Sequence, residues 1–207
     1  MSALQCPTRI LVARHAEAEY ETTAVTDDGG SLTSRGRRQA RELARTLRGE
    51  RIARIWCSPL SRAVQTAEIV AAELSAGGGD VGVVVREGLR EYGVGSLAGT
   101  RADEREELGP VFSAWADGDD DATIPGGERV CDVVARVGAV LNEIADQHPG
   151  EAVLVVGHGG AILTAVPELV GRPRASAYDL TLPNAGHVEL EVDAEGWRLV
   201  RFDEAMA

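Results

Sequence analysis

Two histidines and two arginines follow apolar runs of the chain at similar places. Arg14 and His15 come directly after the first run, Arg62 comes shortly after the second, and His158 directly follows the fourth. Guanidinium and imidazole groups that meet at one place suit an anion of the size of phosphate. These residue types therefore indicate a site for a phosphate-sized anion.

A carboxyl group joins this set, because Glu91 comes after the third apolar run. A carboxylic acid at the same rim could protonate a leaving alcohol, provided that its pKa is held above the ordinary range. Each residue taken alone also has a structural explanation, such as a hydrogen bond to a backbone carbonyl or a place on the surface. Five residues with reactive or charged side chains at corresponding strand ends favour a functional site.

Four short apolar runs predict the strands that position these residues, and helical patterns lie between most of them. The runs span residues 9–13, 52–57, 81–85 and 152–156. This alternation predicts a largely parallel α/β sheet, in which ligands bind beyond the carboxyl ends of the strands. Residues 187–192 and 197–202 alternate like a terminal hairpin.

The predicted helices follow Thr33, follow Pro59, span residues 128–147 and follow Gly160. Thr33 is a suitable N-cap for the first of them. Pro167 is expected to kink or end the last one.

The composition excludes several functions. The formal net charge is -12, and all 21 basic residues are arginine. The negative charge makes nucleic acid and anionic membranes poor partners, and the lack of lysine excludes a P-loop or Schiff-base lysine. The length predicts a single domain over residues 1–207. No signal peptide and no apolar run of roughly 18 residues is found, so a cytoplasmic location is expected.

A metal site is the competing explanation for paired histidines, and the sequence argues against it. The other two histidines, His148 and His187, lie outside the strand-end clusters, and no metal-binding spacing of histidines occurs. The acidic run at residues 117–121 lacks the EF-hand pattern and is interpreted as a solvated loop. Cys57 and Cys131 are expected to be small core residues, and no cofactor is expected.

Four motifs occur in a fixed order, and together they resemble the histidine phosphatase superfamily, the phosphoglycerate-mutase-like proteins. The motifs are Arg14-His15-Ala16-Glu17, Ser58-Pro59-Leu60-Ser61-Arg62-Ala63-Val64-Gln65-Thr66, Glu91 with Gly95 and Gly99, and Gly157-His158-Gly159. The resemblance implies a three-layer α/β sandwich with a mostly parallel central sheet and helices on both faces.

The same resemblance implies roles for individual residues. His15 would be the nucleophile, and Glu91 the general acid and later the base. Arg14, Arg62 and a protonated His158 would form the phosphate pocket, with no metal or cofactor. Substrate contacts are expected at Gly159 and at Glu21, which stands where the family commonly has asparagine.

A short insertion at about residues 100–125 bears on the reaction. A mutase must enclose its substrate so that water does not accept the phosphoryl group, and this insertion is small for that purpose. We therefore expect a phosphatase for a small phosphorylated metabolite. A mutase, a protein-phosphohistidine phosphatase, a silent phosphate-binding module and a homodimer stay open. A helix with Val111, Phe112 and Trp115 is expected to cover the pocket and help to select the substrate.

Overall fold

The computed structural model describes residues 6–19, 30–76, 79–98, 108–177 and 180–202. In these ranges six strands form one mixed sheet with the order β3-β2-β4-β1-β5-β6. Strands β1 to β4 pair in parallel, whereas β5 and β6 form the antiparallel end of the sheet. The strands are β1 (Thr8–Arg14), β2 (Ile52–Cys57), β3 (Val83–Val85), β4 (Ala152–Gly157), β5 (His187–Asp193) and β6 (Gly196–Phe202).

Five α-helices surround the sheet within the described ranges. They are α1 (Ser34–Thr46), α2 (Ser61–Ser75), α3 (Leu108–Ala116), α4 (Val130–Gln147) and α5 (Gly159–Leu169). Thr33 caps α1 as predicted, because its side-chain oxygen accepts a hydrogen bond from the backbone N–H of Gly36. The predicted terminal hairpin is confirmed as β5 and β6.

Alternating side chains of the central strands divide the core into two layers. On one face, Ile10 and Val12 of β1 pack in a cluster with residues of α4 and α5. On the other face, Leu11 and Ala13 pack in a cluster with residues of α1 and α2. Burial on both faces explains why these strands are continuous apolar runs. The predicted three-layer α/β sandwich is confirmed.

Two local expectations need correction. Strand β3 begins at Val83, two residues later than the apolar run suggested. Pro167, by contrast, lies in the last turn of α5, which ends two residues later at Leu169, close to the expected helix end. Cys57 is buried as expected, but Cys131 is only half-buried, since it lies beside the apolar stripe of α4.

The parallel register brings the four strand ends to one edge of the sheet. Arg14 at the end of β1 pairs with Gly157 at the end of β4, and Cys57 of β2 pairs with Val156. The residues that follow these ends therefore emerge at the same level. No helix in the described part of the chain has the length and apolar character needed to cross a membrane.

Candidate active site

His15 and His158 lie side by side because they follow the neighbouring parallel strands β1 and β4. Their ring centroids are 5.2 Å apart, with an angle of 57° between the planes. Both residues are almost fully buried, at 1% and 0% exposure. Burial favours the neutral forms of these two imidazoles, because removal from water penalises their charge.

The hydrogen bonds of His15 define its tautomer. Nδ1 lies 2.8 Å from the carbonyl oxygen of Ala16, and since a carbonyl only accepts, Nδ1 carries the proton. Nε2 therefore holds a lone pair, which accepts a hydrogen bond of 3.1 Å from Nε of Arg62. Burial lowers the pKa of His15 to about 3, and the positive charges of Arg62 and Arg14 contribute to this shift. The hydrogen bond to Ala16 acts in the opposite direction and raises the pKa. His15 is thus neutral at physiological pH.

His158 occupies a similar environment with one difference. Its Nε2 lies 2.8 Å from the hydroxyl of Ser58, while Nδ1 is buried with no hydrogen-bond partner among the described residues. Burial lowers its pKa well below the ordinary value, and the charge of Arg62 lowers it further. The ligand-free protein therefore favours a neutral His158, because the nearby cations oppose a further positive charge. The protonated His158 expected beside a bound phosphoryl group stays a prediction.

Two arginines complete the cationic part of the site. Arg62 is 2% exposed in the first turn of α2, where helix geometry directs it at His15. Arg14 ends β1, and its Nη1 donates a hydrogen bond of 3.0 Å to the carbonyl of Leu182. Guanidinium groups stay charged when buried, so an anion that enters here meets fixed positive charge.

The Glu91 carboxylate is held at the start of α5. Its Oε1 accepts from the backbone N–H groups of Ala161 at 2.7 Å and Tyr92 at 3.2 Å, and Oε2 accepts from Gly160 at 3.2 Å. Burial raises the pKa of Glu91 and outweighs these hydrogen bonds and the charge of Arg62, which act in the opposite direction. This direction confirms the expectation of a raised pKa.

A half-buried ion pair, which sequence reasoning did not find, supports the segment that carries Glu91. Arg136 of α4 donates to the backbone carbonyls of Gly88 at 2.9 Å, Arg90 at 2.6 Å and Glu91 at 3.1 Å. Its partner Glu128 receives two hydrogen bonds from Arg136 at 2.8 and 2.9 Å, and one from the N–H of Gly93 at 2.9 Å. We call these two residues the Arg136–Glu128 pair.

A cavity of about 830 Å³ adjoins these groups, and we call it the main cavity. The two imidazoles are buried and do not line it, but Arg62 both lines it and bonds Nε2 of His15. The predicted site residues that line it are Arg14, Arg62, Glu91 and Gly159. Glu21, the remaining predicted contact, lies outside the described residues.

The predicted helix of the insertion exists as α3, but its contacts differ from the expectation. Leu108 at its start lines the main cavity, whereas Phe112 and Trp115 line a second, neighbouring cavity. Within the ranges that the structure covers, no group of three His, Cys, Asp or Glu side chains is arranged to hold a metal ion.

Comparison with known proteins gives consistent results. Residues 10–205 match the sequence profile of the histidine phosphatase superfamily (branch 1). Phosphoglycerate mutase-like protein 4 of Arabidopsis thaliana is 30% identical over 195 residues, which cover 92% of this chain and 82% of that protein.

Two solved mycobacterial structures extend the likeness to three dimensions. A glucosyl-3-phosphoglycerate phosphatase in complex with VO3 superposes with a TM-score of 0.79 at 26% identity, covering 95% of this chain and 99% of that one. The protein named mycobacterial hydrolase 1 superposes with a TM-score of 0.80 at 27% identity, and the match covers 96% of this chain and 100% of that one. The expected enzyme class, a phosphomonoester hydrolase of the histidine phosphatase type, agrees with these relatives. With almost its whole length matched by the family profile, the chain belongs to the histidine phosphatase superfamily, branch 1.

Proposed function

We propose that this protein is a metal-independent phosphatase that hydrolyses small phosphomonoesters through a phosphohistidine on His15. The observation that carries the proposal is the tautomer of His15. Its proton is fixed on Nδ1 by Ala16, so that the lone pair on Nε2 is directed to the arginine that lines the main cavity. A neutral, oriented imidazole surrounded by arginines is suited to attack a bound phosphoryl group.

In the first step, Nε2 of His15 forms a bond to phosphorus while the bond from phosphorus to the alcohol oxygen breaks. Arg14 and Arg62 stabilise the charge on the phosphoryl oxygens. Protonated Glu91 donates its proton to the departing oxygen, so that the alcohol leaves neutral. The raised pKa of Glu91 favours the protonated form that this step needs.

In the second step, a water molecule attacks phosphorus and the bond to Nε2 breaks. Glu91, now a carboxylate, accepts a proton from that water. Inorganic phosphate leaves, and His15 returns to the neutral tautomer that Ala16 holds. His158 is neutral before substrate binds. A bound phosphoryl dianion offsets the charges of the arginines, so that His158 takes a proton from solvent and stabilises the phosphoryl oxygens in both steps.

Hydrolysis is favoured over transfer to a second hydroxyl. The described part of the insertion, residues 108–125, consists of the nine-residue helix α3 and a following loop, which is little protein to exclude water from the main cavity. A neighbour of the same fold is named as a phosphatase, although one relative is named as phosphoglycerate mutase-like. Mutase activity is therefore the second candidate function.

The test measures phosphate release from p-nitrophenyl phosphate in excess chelator. The wild-type protein should hydrolyse p-nitrophenyl phosphate, and the His15→Asn variant should not. The matched control His148→Asn changes a histidine at the far end of α4 and should keep full activity. Rapid denaturation in alkali, in which phosphohistidine survives, followed by mass spectrometry should place phosphate on the peptide that contains His15. A wild type without turnover would identify a silent binding module, and activity in His15→Asn would refute the mechanism.

A separate assay decides between hydrolysis and transfer. Wild type incubated with a phosphoglycerate should release inorganic phosphate without forming an isomer. Isomerisation faster than phosphate release would favour the mutase, and selective turnover of phosphohistidine peptides would favour the protein phosphatase.

A further inference from the structure

The chain leaves the sheet at His15, and the next two backbone N–H groups bond to side chains of two helices. Strand β1 ends one residue before His15. The N–H of Ala16 donates to Oγ1 of Thr66 on α2 at 3.1 Å. The N–H of Glu17 donates to Oε1 of Gln39 on α1 at 2.9 Å. The backbone that follows the proposed nucleophile is thus held from both helices.

The hydrogen bond to Gln39 acts on the peptide group that fixes the proton of His15. The carbonyl of Ala16 and the N–H of Glu17 belong to the same planar peptide group, so the direction of one determines the direction of the other. That carbonyl lies 2.8 Å from Nδ1 of His15 and accepts its proton. A line of hydrogen bonds therefore runs from Gln39 through one peptide group to the ring. Hydrogen bonds in such a line also polarise and strengthen one another.

The start of α1 is in close contact with this segment. A Cβ atom on Gly36 would overlap the carbonyl oxygen of Glu17, so only glycine allows the helix to approach so closely. The same oxygen accepts from the N–H of Thr33 at 3.1 Å, and Oε1 of Glu17 accepts from the hydroxyl of Thr33 at 2.6 Å. Glu17 is therefore fixed on α1 by its carbonyl and its side chain, and Gln39 fixes its N–H as well.

Loss of the Gln39 oxygen would affect the chemistry of His15. The peptide group could then turn, and the carbonyl of Ala16 would no longer meet Nδ1. Which nitrogen of a neutral imidazole carries the proton depends on the hydrogen bond that the other nitrogen or its partner makes. A proton that moved to Nε2 would remove the lone pair with which His15 is proposed to attack phosphorus.

We propose that Gln39 is a positioning residue, which holds His15 in its reactive tautomer through the peptide group between residues 16 and 17. The inference rests on the proposed function, because it takes His15 as the nucleophile. Gln39 does not line the main cavity, so it acts on the reaction only through His15.

The test compares Gln39→Met, which removes the acceptor, with the wild-type protein. Nitrogen NMR of His15 should show the proton on Nδ1 alone in the wild type and on both ring nitrogens in the variant. The kcat for p-nitrophenyl phosphate should fall by about tenfold, as for a misplaced nucleophile. The Kd of inorganic phosphate, measured by calorimetry, should change by less than about twofold, because Arg14 and Arg62 remain in place.

Two further variants serve as controls. Gln65→Met removes a glutamine oxygen that also accepts from a backbone N–H at 2.9 Å, but this N–H belongs to Leu32. It should keep the tautomer and the kcat of the wild type. Gln39→Glu keeps an acceptor oxygen, and Arg35 and Arg38, which line the same surface groove as Gln39, offset the added charge. Its kcat should lie within about threefold of the wild type.

Partial unfolding cannot imitate the expected result. The kcat is counted per phosphate-binding site, and the tautomer is measured on folded protein. If Gln39→Met does not fold, Gln39→Asn tests the same hydrogen bond, because it keeps the amide and draws its oxygen back by one carbon. A loss of kcat with an unchanged tautomer would overturn the inference, since it would indicate a purely structural role.

The outcomes also separate this inference from the proposed function. If the wild type hydrolyses p-nitrophenyl phosphate and Gln39→Met keeps both the tautomer and the kcat, the role of Gln39 is wrong and the function stands. If no ester is hydrolysed but the tautomer changes in Gln39→Met, Gln39 holds the ring as inferred and the enzymatic proposal is wrong.

Discussion

Arg62 donates a hydrogen bond of 3.1 Å from Nε to Nε2 of His15, the nitrogen that would attack phosphorus. In the ligand-free protein the arginine thus occupies the lone pair of the nucleophile. A bound phosphoryl group offers the guanidinium better acceptors, because hydrogen bonds to charged oxygens are stronger than those to a neutral ring nitrogen. Substrate binding would therefore release the nucleophile and bind the anion through the same residue.

Replacing Arg62 tests this relationship. In Arg62→Gln the pKa of His15 should rise above about 3, because the charge of Arg62 is the second largest cause of its depression. Turnover should fall by about a hundredfold or more, as for the loss of one main stabilising group. NMR titration of the ring protons gives the pKa. The exposed Arg45→Gln on α1 is the control and should change neither quantity; an unchanged His15 pKa in Arg62→Gln would contradict the assignment.

Glu91 should control the alkaline limb of the pH profile. With an alkyl phosphate, kcat/KM should fall as Glu91 loses its proton, at a pH above the ordinary range of a carboxyl group because burial raises its pKa. Glu91→Gln should flatten this limb and lower kcat/KM by about a hundredfold.

p-Nitrophenyl phosphate is the control substrate, since its leaving group needs little protonation. Its alkaline limb should be weaker in wild type. If kcat/KM fell equally at alkaline pH for both substrates, a group other than Glu91 would be responsible for the fall.

The Arg136–Glu128 pair should act on catalysis through Glu91. Arg136→Met frees the carbonyls of residues 88, 90 and 91, which loosens the segment that presents the carboxyl group. We expect kcat for an alkyl phosphate to fall by about tenfold more than kcat for p-nitrophenyl phosphate, because only the former depends on proton donation. Arg129→Met is the matched control, since Arg129 pairs with Asp132 on the surface. An equal loss for both substrates would indicate a purely structural role.

Much of the site was predictable because it depends on local sequence and on one rule of topology. Apolar runs gave the parallel strands, and parallel strands bring their carboxyl ends to one edge. Arg14, His15, Arg62 and His158 follow these ends within a few residues, so the topology placed them without any knowledge of distant contacts.

The Arg136–Glu128 pair was not predictable in this way. Arg136 lies on α4 between the buried positions Val133 and Val137, and in sequence it is one of many arginines on a helix. Its partners are backbone carbonyls about 46 residues away, which carry no sequence signature. The position of Arg136 beside the apolar stripe of α4 was the only feature of the sequence that could have indicated a structural role for this arginine. The lowered pKa of His158 in the ligand-free protein was not predictable either, because burial and nearby charge are properties of the folded protein.

Stability should depend on pH through His15. Its folded pKa of about 3 lies below the ordinary value of 6.5, so below pH 6.5 the unfolded chain binds a proton that the folded state does not. Stability therefore falls as the pH falls in this range. Between pH 6.5 and 5 the wild type should lose about 2 kcal/mol more than His15→Asn.

Urea unfolding at a series of pH values measures this difference. Glu91 titrates in both proteins, so its opposite contribution largely cancels in the comparison. Equal pH dependence of the two proteins would mean that folding does not lower the pKa of His15.

Gly160 should be essential for the geometry around Glu91, although it has no side chain that could react. It is the second residue of α5, and a Cβ atom there would overlap the ring of Tyr92 and lie 2.9 Å from Oε1 of Glu91. Gly160→Ala must therefore displace the Tyr92 ring or the Glu91 carboxylate. The backbone N–H of Gly160 also donates a hydrogen bond to Glu91, so a displaced carboxylate would weaken this hydrogen bond as well. We expect kcat for an alkyl phosphate to fall by about tenfold or more, with a smaller effect on p-nitrophenyl phosphate.

Gly138→Ala on α4 is the matched control, because nothing lies within 4 Å of the added methyl group. Since alanine favours a helix over glycine, this variant should gain up to about 1 kcal/mol of stability and keep full activity. Thermal unfolding and kcat measured on both variants separate the two effects. A Gly160→Ala enzyme with wild-type kcat on both substrates would show that Tyr92 moves freely and that the contact with Glu91 does not position the carboxyl group.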